Sequence, residues 1–143
     1  SNLLEAIYLL SIGKSIRATT EKDLVHYFDT LNQPYSKIEA TLNKNNQEIT
    51  LQIIINVYNR QLNNLNHRTT TKKHISINHI QKSITDLIGN LNAVLFTAND
   101  LNIIDGPHIS RRKYLDILIS QTNKNYFKML QKYNYIVSNR NKK

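Results

Sequence analysis

Cysteine is absent from the 143-residue sequence, and with it go disulfides, cysteine-based zinc sites and thiol chemistry, an absence compatible with a reducing compartment. Glycine and proline are scarce, three and two residues, so a repetitive fibre is excluded, and 40% hydrophobic against 20% charged residues argues against a disordered chain. No apolar run approaches the roughly 18–20 residues that span a bilayer, and the start lacks the basic-then-apolar pattern of a signal peptide. A soluble, cytoplasmic protein with no membrane partner is the expectation. Acidic residues are few and scattered, ten against nineteen Lys and Arg. No Ser sits in a Gly-x-Ser-x-Gly turn, and His26, His67, His74, His79 and His108 form neither His-x3-His nor His-Glu-x-x-His, so neither self-contained hydrolysis nor a metal site is expected.

What the sequence has is positive charge. The net charge is +9 and the pI near 9.8. The excess is partly clustered: Arg68, Lys72 and Lys73 fall in one stretch, Arg111, Arg112 and Lys113 form a triplet, and Arg140, Lys142 and Lys143 close the chain. Such clusters fit polyanions, while an Asn-, Ile- and Lys-heavy composition equally gives plain solvated faces. The length accommodates one domain with a real core.

Hydrophobic periodicity divides the chain. Leu3, Leu4, Ile7 and Leu10 share one face of a short helix, predicted to be its buried face, and Gly13 stands where a left-handed stop is expected. A second amphipathic stretch, Glu21 to Phe28, follows Thr20 as N-cap, and Pro34 ends any helix before it. Tyr35 to Leu42 alternates as a strand, Glu48 to Tyr58 is rich in Ile and Val, and Asn43 to Gln47 is the turn between them. Lys73 to Asn78 reads as a third short strand after a polar loop, and Ile84 to Ile88 as a single helical turn. The run Ala93-Val94-Leu95-Phe96 within Asn92 to Thr97 predicts a strand covered on both faces. From Pro107 the pattern becomes helical, with Tyr114, Leu115, Leu118 and Ile119 in one helix, a break at Thr122 to Asn125, and Tyr126, Leu130, Tyr133 and Val137 in the next. The one candidate boundary between subdomains is the turn around Asp105, Gly106 and Pro107.

Two stretches carry a resemblance. Ser1-Asn2-Leu3-Leu4-Glu5-Ala6-Ile7, followed by Gly13-Lys14-Ser15-Ile16-Arg17, is similar to the segment of the RecF family in which a phosphate-binding loop runs into Asn-Leu-Leu-Glu-Ala-Ile and then Gly-Arg/Lys-Ser-aromatic-Arg. Leu91 to Leu101 resembles the family's Val-Val-Leu-Phe-Ser-Pro-Glu-Asp-Leu stretch, with departures at Ala98 and Asn99, where the family favours Pro and Glu, that leave the role of Asn99 open. Gly106 to Asp116 resembles its Gly-(four residues)-Arg-Arg-basic-aromatic-Leu-Asp motif. Asn125-Tyr126, Leu130, Tyr133 and Asn139-Arg140-Asn141 follow its Tyr-x3-Leu-x2-Tyr and Gln-Arg-Asn pattern, departing at Ser138-Asn139; Tyr35 to Ile88 agrees only in strand-like pattern.

The resemblance implies an α+β fold, α/β ATPase-like: part of an ATP-binding-cassette head of the kind found in chromosome-maintenance and Rad50-like proteins, with an antiparallel-rich β unit plus helices. Residues 1–105 would form a partial ATPase lobe and 106–143 the start of a helical lobe. The parent it implies is a weak ATPase of DNA repair and replication restart. Such a protein binds ATP with Mg²⁺, forms an ATP-dependent homodimer, engages single-stranded and gapped duplex DNA, works with RecR and RecO in loading recombinase, and is tied to the SOS response. Ser1 would touch nucleotide and metal beside Asn2, because loop amides and a helix N-terminus cradle phosphate while a hydroxyl ligates Mg²⁺. Arg111, Arg112 and Lys113 would contact DNA, with Lys14 and Arg17 as further phosphate contacts, although the Arg pair could instead be structural, paired with Asp100, Asp105 or Asp116. The defining Lys and glycines of the phosphate loop, and the motifs that activate water, do not occur in the chain, so an inactive piece of that ATPase is expected. The rivals are a basic nucleic-acid-binding module with no nucleotide site and a protein-interaction domain built on the last two helices.

Overall fold

Between Gln47 and Tyr58 every second residue is a large aliphatic, which is the pattern of a strand with one buried face. A computed structural model of the chain, describing residues 2–25, 34–63, 66–97, 100 and 102–141, places this stretch in the middle of a four-stranded antiparallel sheet of order β1-β2-β3-β4. The strands are β1 (Tyr35–Lys44), β2 (Gln47–Asn63), β3 (Asn66–Ile77) and β4 (Ile80–Lys82). Leu51, Ile53, Ile55 and Val57 of β2 are all at most 1% exposed. Each such burial stabilises the fold by about 1.5–3 kcal/mol, so this row anchors the unit.

Asparagine sets the turns. Asn45 and Asn46 join β1 to β2 with φ of 52° and 60°, and Asn78 and His79 join β3 to β4 with φ of 51° and 64°, the paired left-handed geometry of tight hairpins. Asn78 is also stitched to β2: its amide donates to the Thr50 carbonyl at 2.8 Å and its Oδ1 accepts from the Thr50 amide at 2.9 Å. The stretch read as a polar loop before Lys73 is the first half of β3. It pairs with β2 from Asn63↔Asn66 onward, with one register shift between Gln61 and Asn63, because backbone pairing recruits residues whose side chains give no apolar signal.

Helices cover one face of the sheet. α1 (Asn2–Ile12) contributes Leu9 and Leu10, a 3-10 turn (Glu21–Leu24) leads into Val25, and α2 (Ile84–Leu87) contributes Leu87, all joined to Leu51, Ile53, Ile55, Val57 and Ile75 in one core. The predicted buried face of α1 requires correction. Tyr8, Leu9, Leu10 and Ser11 are buried, whereas Leu3, Leu4 and Ile7 are 69%, 51% and 39% exposed, because only the last turns of α1 reach the sheet. α1 stops at Gly13, whose amide bonds the Leu9 carbonyl at 2.7 Å and whose φ of 72° suits glycine. A Cβ there would lie 2.0 Å from Ile84 Cδ1, so glycine also permits α1 and α2 to approach. Thr20 caps the turn through Asp23, but the helix expected to run to Phe28 is corrected: it is a single 3-10 turn that ends at Leu24, Val25 having extended backbone (φ −113°, ψ 124°), and the residues from His26 to Phe28 lie outside the described ones.

The second half of the chain is helical: α3 (Asn102–Asp105), α4 (His108–Thr122) and α5 (Lys124–Arg140). Pro107 sits one position earlier than expected, as the N-cap of α4, and Asn123 alone separates α4 from α5. Inward faces differ from the periodicity. Leu115 is 54% and Ile119 38% exposed, and the residues α4 buries fully are Ser120 and Gln121. Tyr133 of α5 is likewise exposed, whereas Tyr126, Phe127, Leu130 and Val137 are half-buried.

The predicted strand Asn92 to Thr97 is also corrected. The segment is extended, with Leu91, Ala93 and Leu95 half-buried and Val94 and Phe96 each 68% exposed, so it is covered on one face, and among the described residues no strand lies beside it. Its neighbour is a side chain: the Gln121 amide accepts from the Ala93 N–H at 2.7 Å and donates to the Ala93 carbonyl at 3.1 Å, as a strand would. An unbroken apolar run does not by itself reveal how many faces are covered. The architecture is an α+β mix, and no helix among the described residues is long and apolar enough to cross a membrane.

Candidate nucleic-acid interface

The triplet at the start of α4 is divided by its surroundings. Adjacent helical residues fan about 100° apart, so the three cations cannot act together. Arg111 turns back on α3, donating from Nη1 to the carbonyls of Ile103, Ile104 and Gly106 at 3.4, 3.2 and 3.2 Å. These are carbonyls left free where a helix ends, and a cation there is favoured by the helix dipole as well. Asp100 and Asp116 are otherwise engaged: Asp100 Oδ2 accepts from the Thr97 amide and hydroxyl at 2.5 and 2.8 Å, and Asp116 accepts from the Tyr126 hydroxyl at 2.5 Å, which raises the Tyr126 pKa. Arg111 is thus tied to backbone carbonyls at the end of α3, and neither of the described ion pairs joins it to an aspartate. Arg112 and Lys113 are exposed and have no ion pair among the described residues.

Lys14 comes to the same place as Lys113. Both line a cleft of about 670 Å³ between the end of α1, the extended segment and α4–α5. Its walls are mostly apolar, from Ile16, Ile84 and Leu95 among others, with Asp100 and Asp116 also on its lining. Tyr8 lines it too, and burial, followed by the charge of Asp100 and the nearby Tyr114, pushes its hydroxyl pKa up. Ser120 Oγ, also on this cleft, is buried without a hydrogen-bond partner among the described residues. The loop carrying Lys14 is folded by Ser15, whose Oγ accepts from the amides of Arg17 and Ala18 at 3.0 and 2.9 Å and donates to Glu5. Arg17 is exposed.

Asn2 opens α1, and Ser1 lies outside the described residues, as do Ala98 and Asn99. Asn2 and the Lys14–Arg17 loop stand at opposite ends of an 11-residue helix, about 16 Å apart along its axis. The described residues thus provide helix amides at Asn2 but gather no cation there. As a phosphate site the arrangement is incomplete, and no step of nucleotide chemistry follows from it.

The remaining basic stretch is mixed in use. Lys73 projects beneath the sheet, donates to the Gly13 carbonyl at 2.9 Å and pairs with Glu21, so it is committed to holding the loop after α1. Lys72 is exposed, and Lys142 and Lys143 lie outside the described residues. A row missed by reading along the chain is Lys124, Lys128 and Lys132 on α5, all exposed and four residues apart. The signal that finds it is helical spacing rather than adjacency.

Comparison with known proteins agrees with the resemblance drawn from the sequence. The chain is similar to the DNA replication and repair protein RecF of Oceanobacillus iheyensis, 34% identical over 142 residues, or 99% of this chain and 34% of that protein. It is equally similar to RecF of Bacillus subtilis, 34% identical with the same coverage, and to RecF of Herpetosiphon aurantiacus, 34% identical over 145 residues that cover 37% of that protein. RecF-like sequence therefore runs along nearly the whole chain, which spans about a third of the length of the curated relatives it matches. No protein-family model and no solved structure matches it.

Proposed function

We propose that this chain is part of a RecF-type DNA replication and repair protein and that its share of the work is to contact the DNA backbone. In this reading residues 1–105 belong to an ATP-binding-cassette head and residues 106–143 begin a helical lobe. ATP and Mg²⁺ are held by Ser1 and Asn2, and the assembled protein is an ATP-dependent homodimer that works with RecR and RecO at gapped DNA, in a process tied to the SOS response. The observation that supports it is the 34% identity with RecF proteins over 99% of the chain. Net charge of +9 and the exposed Arg112 and Lys113, which have no ion pair among the described residues, agree with a polyanionic partner. A nucleotide-free DNA-binding module is the second reading, favoured by the separation of Asn2 from Lys14 and Arg17.

Measured by anisotropy of labelled DNA at several salt concentrations, the chain is expected to bind without base preference. Arg112→Ala with Lys113→Ala should lower the slope of log affinity against log salt by roughly 0.7–0.9 per engaged side chain. Arg111→Ala should instead leave that slope unchanged and loosen the junction of α3 with α4, read as faster amide exchange there. No binding to any DNA at low salt would refute the proposal. The two readings part on ATP: photo-crosslinking of azido-ATP to a protein extended upstream of Ser1 supports the ATPase assignment, and its failure supports the module.

A further inference from the structure

The last acidic residue of the chain is Asp116; after it come Lys124, Lys128, Lys132, Arg140, Lys142 and Lys143 with no Asp or Glu between them. The structure winds the first three onto one side of α5. At 100° per residue Lys124, Lys128, Lys132, Tyr135 and Asn139 fall within an arc of about 80°, and the lysines step along the axis at about 6 Å, a row of about 12 Å. The half-buried Tyr126, Phe127, Leu130 and Val137 lie on the other side, so the arc faces outward. Tyr135, one turn beyond Lys132, is 69% exposed.

This arc is at odds with helix stability. Like charges four apart repel, no Glu stands a turn away to pair with any of the three, and Lys124 occupies the first position of a helix with no acid in its first turn, where the dipole disfavours a cation. The neighbouring elements offer little relief. Lys124 is near enough to Asp86 at α2 to help lower its carboxyl pKa, and Asp116 on α4 accepts from Tyr126. Lys128 and Lys132 have no ion pair among the described residues.

We infer that the outward ridge of α5, Lys128 and Lys132 with Tyr135 beyond them, is a contact surface for single-stranded nucleic acid. Two cations about 6 Å apart reach separate phosphates of one strand, and an exposed ring in line with them offers a stacking platform, the combination by which strands are held without reading their sequence. Lys124 belongs to the row but lies close to Asp86, so it contributes least. The inference rests on the proposal that the chain contacts DNA and adds a second face, on a different helix from Arg112 and Lys113, with a preference for unpaired strands.

The test is a salt titration of the chain against labelled oligo-dT and against duplex of equal length. Lys128→Gln with Lys132→Gln, which preserves helix formers, should reduce the oligo-dT slope by about 1.4, two phosphates at roughly 0.7 each on a single strand, while Lys128→Arg with Lys132→Arg keeps it. Tyr135→Leu should weaken oligo-dT on the order of tenfold and leave duplex binding unchanged. Circular dichroism and thermal melting confirm that each variant retains α5. If the unaltered chain binds neither DNA, the proposed function fails; if it binds and the Gln pair keeps the full slope, the ridge inference alone fails. Equal loss of oligo-dT and duplex in Tyr135→Leu overturns the single-strand preference. Vesicles of equimolar phosphatidylcholine and phosphatidylserine competing as well as oligo-dT would show a membrane-facing helix and overturn it also.

Discussion

The sheet and the helical half are held together by different means. β2 buries four aliphatic side chains to 1% exposure or less in a core shared with α1 and α2. In α4 and α5 the fully buried residues are Ser120 and Gln121, while Ile109, Leu115, Met129 and Ile136 are more than half exposed. Hydrogen bonds do the joining there: Gln121 to Ala93, Arg111 to the end of α3, Tyr126 to Asp116. Apolar burial is non-directional and tolerates small shifts; a bidentate amide or a capped helix end fixes geometry at a smaller net gain.

The comparison breaks most sharply at the sheet. Ile53→Ala removes a fully buried side chain and should cost about 2–5 kcal/mol, seen as a lower urea midpoint, with sheet and helices lost together if the core supports both. Gln121→Ala should cost less, about 1–3 kcal/mol, by leaving the Ala93 N–H and carbonyl without their partner. Its effect should be local: amide exchange speeds up at Ala93 while Ile53 and Ile55 remain protected. If Gln121→Ala melted the sheet as well, the two regions would not be distinct.

The smallest effect lies at the seam between them. Ser83 and Asp86 cap α2 reciprocally, the Ser83 hydroxyl donating to Asp86 at 2.7 Å and the Ser83 amide at 3.1 Å. These bonds hold the Asp86 pKa below its ordinary value of 3.8, with help from Lys82 and Lys124. A depressed carboxylate contributes stability above the unfolded pKa and loses it as pH falls through the folded one. Stability should thus decline slightly below about pH 4 through this group, and Asp86→Asn should flatten that part of an acid-unfolding curve.

Legibility followed the same division. The alternation of Ser36, Ile38, Ala40 and Leu42, and of Leu51, Ile53, Ile55 and Val57, marks the sheet because a period of two records one buried face. The first half of β3 left no such mark, since Thr69 to Lys72 is polar whichever side it faces. Helical faces were misjudged where the inward residues are Ser120 and Gln121, for a polar residue that buries itself through hydrogen bonds looks like a surface residue in the sequence. The Arg111–Lys113 triplet was visible as charge, but the role of Arg111 depends on α3, a single turn that periodicity cannot announce. Lys124, Lys128 and Lys132 are dispersed along the chain and become neighbours only once α5 winds them together.

Asn123 is the one residue between α4 and α5. With φ −131° and ψ 100°, it ends one helix, its amide bonding the Ile119 carbonyl, and begins the next, its side chain accepting from the Tyr126 amide. A joint of one residue has no slack. The 17-residue helix beyond it is a lever about 25 Å long, so a rotation of 10° at Asn123 would carry its far end through about 4 Å. Lys128, Lys132 and Tyr135 would travel with it as a rigid comb, and a torsion change at one asparagine would set where that comb meets its partner.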